Sequence, residues 1–495
     1  MKRSKFNLGH TKLLSCDLGS LVPIGCTEVL PGDSFQHNTS ALVRFSPMLA
    51  PVMHPVHCSI SHWYVPNRLI FDDWEDFITG GPDGNDDTVF PTIDMPVSGG
   101  AAVGSLADYL GVPTGVNSLE VSALPFRAYN LIFNENYRDQ DLVSPVAIST
   151  AAGPDTTTNT TLLQGAWEKD YFTTARPWEQ KGPAITIPIG DRAPVVPASP
   201  AVPPRFVGVS GTDPKGLNRT TADTAVRWHP TGTSPTSAGE AYWAAQTGLS
   251  ADLSSASPIT INLLREAFAL QRYEEARARF GSRYTEYLRY LGVQSSDARL
   301  QRPEYLGGGK YPVQFSEVLQ TAEGDDPVGT LRGHGIGVAR SNRYRRYFEE
   351  HGYVITLMCV RPKTMYVQGL PRHWNRRTKE DYWQKELQHI GQQEVLNKEV
   401  YAAGAQPDGV FGYQDRYDEY RRHESWVSGQ FRTTDSFWHF AREFASAPAL
   451  NASFINCVPP EDPFAVPANN HLQVMVRHNL AARRLVAAKG DSFIF

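Results

Sequence analysis

Residues 39 to 70 constrain the fold more than any other part of the chain. "TSALVRFSPMLAPV" (39–52) and "VHCSISHWYVPNRLI" (56–70) are rich in Val, Ile, Trp and Tyr, with prolines at the run ends. This composition specifies strands, and on a strand alternate side chains point to opposite faces. That geometry decides the reading of "MHPVHCSISHW" (53–63), which carries three histidines and a cysteine. His54, His57, Cys58 and His62 are zinc-ligand types. Yet Val56, Cys58, Ile60, His62 and Tyr64 share one face, while His57, Ser59, Ser61, Trp63 and Val65 share the other. No three of the four candidate ligands converge, so the stretch reads as a strand and not as a metal site.

Further strands lie far along the chain. "YVITLMCV" (353–360) is an almost unbroken apolar run between Gly352 and Pro362, the pattern of a buried strand. Near the C-terminus Leu472, Val474 and Val476 alternate with Gln473, Met475 and Arg477. Strands at both ends imply a core sheet that closes late, with large insertions in its connections. One of these, residues 191 to 258, is dense in Pro, Gly, Ser, Thr and Ala without sustained periodicity and reads as a long loop-like insertion. Helical spacing follows: Ile261, Leu264 and Phe268, then Tyr284, Tyr287, Leu288 and Leu291, with Gly281 interrupting. The arginines between them (Arg265, Arg272, Arg277, Arg279, Arg283) form the wet face.

Residues 71 to 90 carry seven acids and no base. Asp83, Asn85 and Asp87 resemble the start of a calcium loop, but Thr88 stands where such a loop needs Gly, and Pro82 and Pro91 exclude flanking helices. An ordinary solvated acidic loop, 72 to 87, is the simpler reading.

Catalytic constellations are thin. "YLGGGKY" lacks the spacing of a phosphate loop, and "RGHGIGV" misses G-x-G-x-x-G because Val338 takes the last place. Neither H-E-x-x-H nor G-x-S-x-G occurs. Five scattered cysteines with no C-x-x-C pair fit a reducing compartment. The basic start "MKRSKFNLGHTKLLS" has no apolar signal region, and no run of eighteen apolar residues offers a membrane span. Together these features describe a soluble intracellular product that is not an enzyme and takes no cofactor.

One charge feature stands out. Residues 332 to 379 hold eleven Arg and Lys against Glu349 and Glu350, in a chain whose net charge is -5. Tyr344, Tyr347, Tyr366 and Trp374 are interleaved. Arginine beside aromatics suits single-stranded nucleic acid through phosphate neutralisation and base stacking. The competing reading pairs these arginines with the acidic loop of a neighbouring subunit.

Longer strings carry a resemblance. "SKFNLGHTKLLSCDLGSLVPIGCTEVLPGDSFQHNTSALVRFSPMLAPVMHPV", "WYVPNRLIFDDWEDFITGG", "LPFRAYNLIFNENYRDQDL", "RYTEYLRYLGVQSSDARLQRPEYLGGG", "HGYVITLMCVRPKTMYVQGL" and "VFGYQDRYDEYR" recur in order from residue 4 to about residue 455. They resemble the major capsid proteins of microviruses (Microviridae), particularly the gokushovirus branch. Residues 191 to 258 and the last thirty or so match poorly. The resemblance implies an eight-stranded antiparallel jelly-roll β-sandwich with long insertions, residues 1–495 forming one capsid domain. It implies a structural virion protein of a small single-stranded DNA bacteriophage, assembled in the host cytoplasm. Sixty copies would close a T=1 icosahedral shell from twelve pentamers, with 191–258 as a surface-exposed variable insertion at the threefold axes.

Expected partners are then the chain itself, packaged single-stranded DNA, a small basic DNA-packaging protein, an internal scaffolding protein, a pilot protein and a host-cell surface receptor, with no membrane insertion. Candidate nucleic-acid contacts are Lys2, Arg3, Lys5, Arg343, Arg345 and Arg346. Candidate receptor contacts are Phe206, Trp228, Tyr242 and Trp243, large aromatics with no periodic core to join. The rival classes are a jelly-roll metal-dependent enzyme and a carbohydrate-binding module.

Overall fold

Eight long antiparallel strands build the body of the protein: β1 (His10–Cys16), β2 (Val22–Val29), β3 (Ser34–Phe45), β4 (Val56–Pro66), β5 (Glu304–Leu319), β6 (Leu331–Arg340), β7 (Gly352–Pro362) and β8 (Leu472–Arg484). The structure is a computed structural model that describes residues 3–82, 84–183, 185, 261–281, 283–321 and 327–488, with the backbone of five short strands between 195 and 251. The chain divides into two compact units, residues 1–181 with 275–495, and residues 182–274.

The pairing order is that of a jelly roll. One sheet runs β1-β8-β3-β6 and the other β2-β7-β4-β5, every pair antiparallel. The short strand Ser4–Asn7 prolongs β1 along β8, and Tyr344–Tyr347 prolongs β6 along β3. β5 belongs to both sheets: Glu304–Val313 pairs with β4, and Gln314–Leu319 pairs with β6. "TSALVRFSPMLAPV" leaves the sheet at Phe45, because Pro47 and Pro51 cannot supply ladder donors.

The two inner faces meet along apolar rows. Ala41, Val43 and Phe45 of β3, Cys58 and Ile60 of β4, Met358 and Val360 of β7, and Val474 and Val476 of β8 fill one part of the interior. Val29, Phe35, Tyr64, Tyr344, Phe348, Val354 and Leu480 fill another. The glycine strings that fail as phosphate loops lie on strands. A Cβ at Gly308 would meet the Ile60 oxygen at 2.3 Å, and one at Gly333 the Ala50 oxygen at 2.0 Å, so only glycine permits the close backbone approach there.

The sheets differ on their outer faces. Trp63, Val65, Ile355, Leu357 and Cys359 point outward from the second sheet and are buried under Leu124, Phe126, Tyr129 and Ile132 of the helix Leu124–Ile132. This explains the unbroken apolar run in β7, which is covered on both faces. On the first sheet β3 and β8 alternate strictly between buried and more exposed residues. All five cysteines are free thiols, four of them fully buried and Cys26 partly so.

Some expectations need correction. The acidic stretch 71–90 contains a short helix, Trp74–Thr79, closed by Gly80 in the left-handed region (φ 83°) with its N–H on the Asp76 carbonyl. It lies entirely upstream of Pro82, so the proline argument does not apply to it. Asp83 lies outside the described residues. The helices Ile261–Phe280 and Tyr284–Tyr290 form on either side of Gly281 (φ 99°), yet their apolar positions are not a core stripe. Ile261 and Phe268 are 70% and 64% exposed, and the buried residues of the first helix are Ala276 and Ala278. In the insertion, Arg205–Gly208 pairs with Lys215–Gly216 and Ala241–Trp243, and Val195–Pro197 with Leu249–Ala251, so the segment includes strand pairs and is not purely loop.

One buried ion pair ties the cover over the second sheet. Arg127 donates from Nε to Asp155 Oδ2 (2.8 Å), from Nη1 to the Ile70 carbonyl (2.9 Å) and from Nη2 to the Ala151 carbonyl (2.9 Å), with both side chains fully buried. Burial works against the charged carboxylate, but hydrogen bonds from Thr158, Arg127 and Thr157 outweigh it and hold Asp155 below the ordinary range. Arg127→Met strands that carboxylate without its cation, and we expect a loss of about 3–5 kcal/mol. A lowered urea midpoint at unchanged slope would register it. A loss under about 1 kcal/mol would mean the pair does not hold the cover down.

Candidate nucleic-acid interface

The strand register of the first sheet sorts its outward side chains into rows. Lys5, Arg483, Ser34 and Tyr347 form one, and Asn7, Ala481, Gln36 and Arg345 the next. Thr11, Arg477, Ser40 and Arg340 form another, followed by Leu13, Met475, Leu42 and Val338. Ser15, Gln473, Arg44 and Ile336 follow in turn. Neighbouring rows are two residues apart along a strand, about 7 Å.

Three properties set this face apart. Lys5, Arg44, Arg340, Arg345, Arg477 and Arg483 are all exposed on it. The six strands that build the face contain no Asp or Glu at all. An exposed apolar rung crosses it, with Leu13 at 75%, Met475 at 46% and Val338 at 61% exposure. A chain of negative net charge thus gathers one sign of charge on one surface, where potentials reinforce each other. Arginines, side-chain amides and hydroxyls can hold phosphate oxygens, and the apolar rung offers a surface for flat rings.

The sequence-derived candidates distribute unevenly around the face. Lys5 and Arg345 stand on it. Arg3 lies at its margin, with Nη1 donating to the Gly32 carbonyl (3.1 Å) and Ser34 Oγ (2.9 Å) and its guanidinium 5.5 Å from the Tyr347 ring centre. Arg343 is exposed in the turn between β6 and Tyr344–Tyr347. Arg346 is paired with Glu304 (3.0 Å). Lys2 lies outside the described residues, as do Trp228 and the side chains of Phe206, Tyr242 and Trp243. The backbones of Phe206 and Trp243 are register partners.

Sequence reasoning missed Arg44, Arg477 and Arg483. The signal was available: each occupies the parity opposite to buried apolar neighbours, Val43 and Phe45 for Arg44, Val474 and Val476 for Arg477, and Ala482 for Arg483. Conversely, the basic run 332–379 is not one surface. Arg361 donates to the Ala166 carbonyl (2.5 Å), Arg372 pairs with Glu399 (2.8 Å) and Arg376 with Glu419 (3.4 Å), all within the same chain.

The histidines of 53–63 separate as strand geometry demands. His54 shares a hydrogen bond with the Lys363 carbonyl (2.6 Å), His57 lies 3.7 Å from Glu168, and His62 points into the sandwich beside Thr356 (2.9 Å). Among the described residues, no group of three or more His, Cys, Asp or Glu is placed to hold a metal ion. No helix of the described residues is long and apolar enough to cross a membrane.

Comparison with known proteins decides what this architecture belongs to. The profile of the family described as "Capsid protein (F protein)" matches residues 1–494. The chain belongs to that capsid family. Capsid protein VP1 of Bdellovibrio phage phiMH2K is 39% identical over 477 residues, covering 92% of this chain and 87% of the relative. Capsid protein VP1 of Chlamydia phage 1 is 34% identical over 542 residues (93% and 90% coverage), and that of Spiroplasma virus 4 is 33% identical over 488 residues (92% and 87%). The microvirus resemblance, including its gokushovirus branch, therefore holds across the chain. This capsid protein is a structural component of a phage virion that assembles with itself, and it is not an enzyme.

The outward arginines make no contribution to the core of the capsid protein. Replacing Arg44, Arg340 and Arg477 together by Gln should shift stability by no more than about 0.5 kcal/mol per site. A thermal transition lowered by more than this combined amount would assign them a folding role instead.

Proposed function

We propose that this capsid protein closes a sixty-subunit T=1 shell built from twelve pentamers, with the outer face of the β1-β8-β3-β6 sheet lining the interior against packaged single-stranded DNA. The observation that carries the genome contact is the carboxylate-free face bearing Lys5, Arg44, Arg340, Arg345, Arg477 and Arg483. A shell interior meets one polyanion over its whole area, and uniform positive potential suits that better than a patchwork of both signs. Arg343 and Arg3 extend the same surface at its margin, whereas Arg346 is engaged by Glu304. A small basic packaging protein would neutralise further phosphate charge, and internal scaffolding and pilot proteins would complete the particle.

Closure requires each chain to present distinct twofold, threefold and fivefold surfaces, stable ones burying about 1,000 Å² or more. Exposed apolar and aromatic residues that join no core among the described residues, among them Tyr284, Tyr287, Leu291, Val318 and Leu319, supply material for such contacts. The variable insertion 191–258 falls wholly within the separate compact unit 182–274. We assign it host recognition, with Phe206, Trp228, Tyr242 and Trp243 as its aromatic candidates, because loops on a rigid scaffold carry variable recognition.

Two experiments test this reading. Removing one arginine from a phosphate should lower the salt slope of single-stranded DNA binding by about 0.7, so the triple Gln variant at Arg44, Arg340 and Arg477 should lose about 2. An unchanged slope together with failed pentamer formation would instead assign these arginines to a subunit interface, facing an acidic segment such as Trp74–Thr79 and its flanks. Separately, replacing 195–250 by a short Gly/Ser linker should leave the jelly roll folded, since closure entropy changes by only about 0.6 kcal/mol per doubling of length. The shortened particles should fail to attach to host cells. Normal infectivity would remove the insertion from the recognition role.

A further inference from the structure

A row of histidines cuts across the interior of the sandwich, between its two apolar clusters. His10 stands exposed on β1, His478 on β8, His37 on β3, and His62 on β4 of the opposite sheet. Ring centres follow one another at 4.7 Å (His10 to His478), 5.4 Å (His478 to His37) and 4.6 Å (His37 to His62). The last three rings are buried, His62 completely. The row therefore runs from solvent to the second sheet.

The hydrogen bonds suit neutral rings. His478 Nε2 lies 3.0 Å from the Ile24 carbonyl, which only accepts, so that nitrogen carries the proton and Nδ1 is left as an acceptor. His37 Nε2 (3.2 Å) and Thr39 Oγ1 (2.9 Å) both face that Nδ1. His37 Nδ1 faces the Tyr344 hydroxyl at 3.2 Å, and His62 Nδ1 faces Thr356 Oγ1 at 2.9 Å. His62 Nε2 is buried without a hydrogen-bond partner.

A second proton is accommodated on this row only by rearrangement. On His478 it would turn Nδ1 into a donor, so that the Thr39 hydroxyl and the His37 ring facing it would have to turn from donors into acceptors. On His62 it would create a buried N–H with nothing to receive it. The other titratable groups bearing on the row are His10 and Lys12 from β1 and Tyr344, and the described residues bring no carboxylate to it. From β2, Gly25 presses so close that a Cβ there would lie 2.8 Å from the His478 ring. Any imidazolium formed here would be unpaired and beside other cations.

We propose that the His478–His37–His62 row is an acid-sensitive seam, stable only while its rings are neutral, through which falling pH loosens the two sheets and with them the subunit. Burial, followed for His37 and His62 by neighbouring histidines, depresses the rings, to about 2 for His37, about 3 for His62 and about 4 for His478. These folded values lie below the ordinary 6.5, so the unfolded chain binds protons first as pH falls. The stabilisation is complete above about pH 6.5 and is lost progressively below it. Between pH 6 and 5 each ring contributes about eightfold in the folding constant, so the three together contribute about four-hundredfold.

The test compares the full chain with His62→Gln, chosen because the lost Nε2 makes no hydrogen bond. Unfolding equilibria at pH 7.5, 6 and 5 should show the variant losing about fourfold less of its folding constant than the wild type from pH 7.5 to 6, and about eightfold less from pH 6 to 5. His54, buried elsewhere, acts equally in both and cancels. Identical pH slopes overturn the proposal. Should His62→Gln fail to fold, deuterium exchange at imidazole C2 in the wild-type particle gives the answer. His37, His62 and His478 should stay unprotonated from pH 7.5 to 5, and ordinary titration of the three near pH 6.5 overturns the seam.

Discussion

The last strand determines whether this protein has a first sheet at all. β8 lies between β1 and β3, in register with β3 from Leu472 opposite Phe45 to Arg483 opposite Ser34. Without it β1 has no partner in the sandwich and β3 has a bare edge, with ladder groups unsatisfied and Val43, Phe35 and Ala41 facing an open seam. The strand that completes the core is thus separated from its partners by most of the chain. Such non-local pairing makes folding slow, since loop closure precedes any gain from contacts. The connections it spans are long, 67–303 between β4 and β5 and 363–471 between β7 and β8, yet closure entropy rises by only about 0.6 kcal/mol per doubling of loop length.

The two outer faces show how one topology yields two kinds of surface. The second sheet is covered by Leu124–Ile132 and its surroundings, so it is insulated from solvent on both sides. The first sheet keeps an uncovered face and fills it with cations, amides and one apolar rung. In the proposed shell the covered sheet would be the rigid body, and the uncovered face would be free to meet the packaged DNA.

Much of this was legible in the sequence. The alternation in 472–477 and the continuous run 353–360 correctly distinguish a strand with one covered face from a strand with two, because periodicity reports which faces are dry. The same rule disposes of the zinc reading of 53–63. Periodicity says where a side chain points and not what it meets, so His37, His62 and His478 were invisible as a group, as were Arg44, Arg340 and Arg477. The basic run 332–379 misled for a related reason. Charge density along a chain is not charge density in space, and Arg372 and Arg376 fold onto Glu399 and Glu419 while distant Arg477 and Lys5 join Arg345 on one face. The helix Trp74–Thr79 escaped because its short span ends at Gly80, before the prolines that would otherwise forbid it.

The thiols carry a consequence of their own. Burial pushes Cys58 and Cys26 up to about 12 and raises Cys16, Cys359 and Cys457 as well, so the nucleophilic thiolate is essentially absent at neutral pH. Exchange with small disulfides and attack on peroxides both run through that thiolate. A particle made of such subunits can therefore pass from a reducing cell interior to an oxidising exterior and back with its cysteines unchanged. The shell's durability in transit then rests on packing, hydrogen bonds and ion pairs, which leaves it free to come apart without any chemical bond having to be broken.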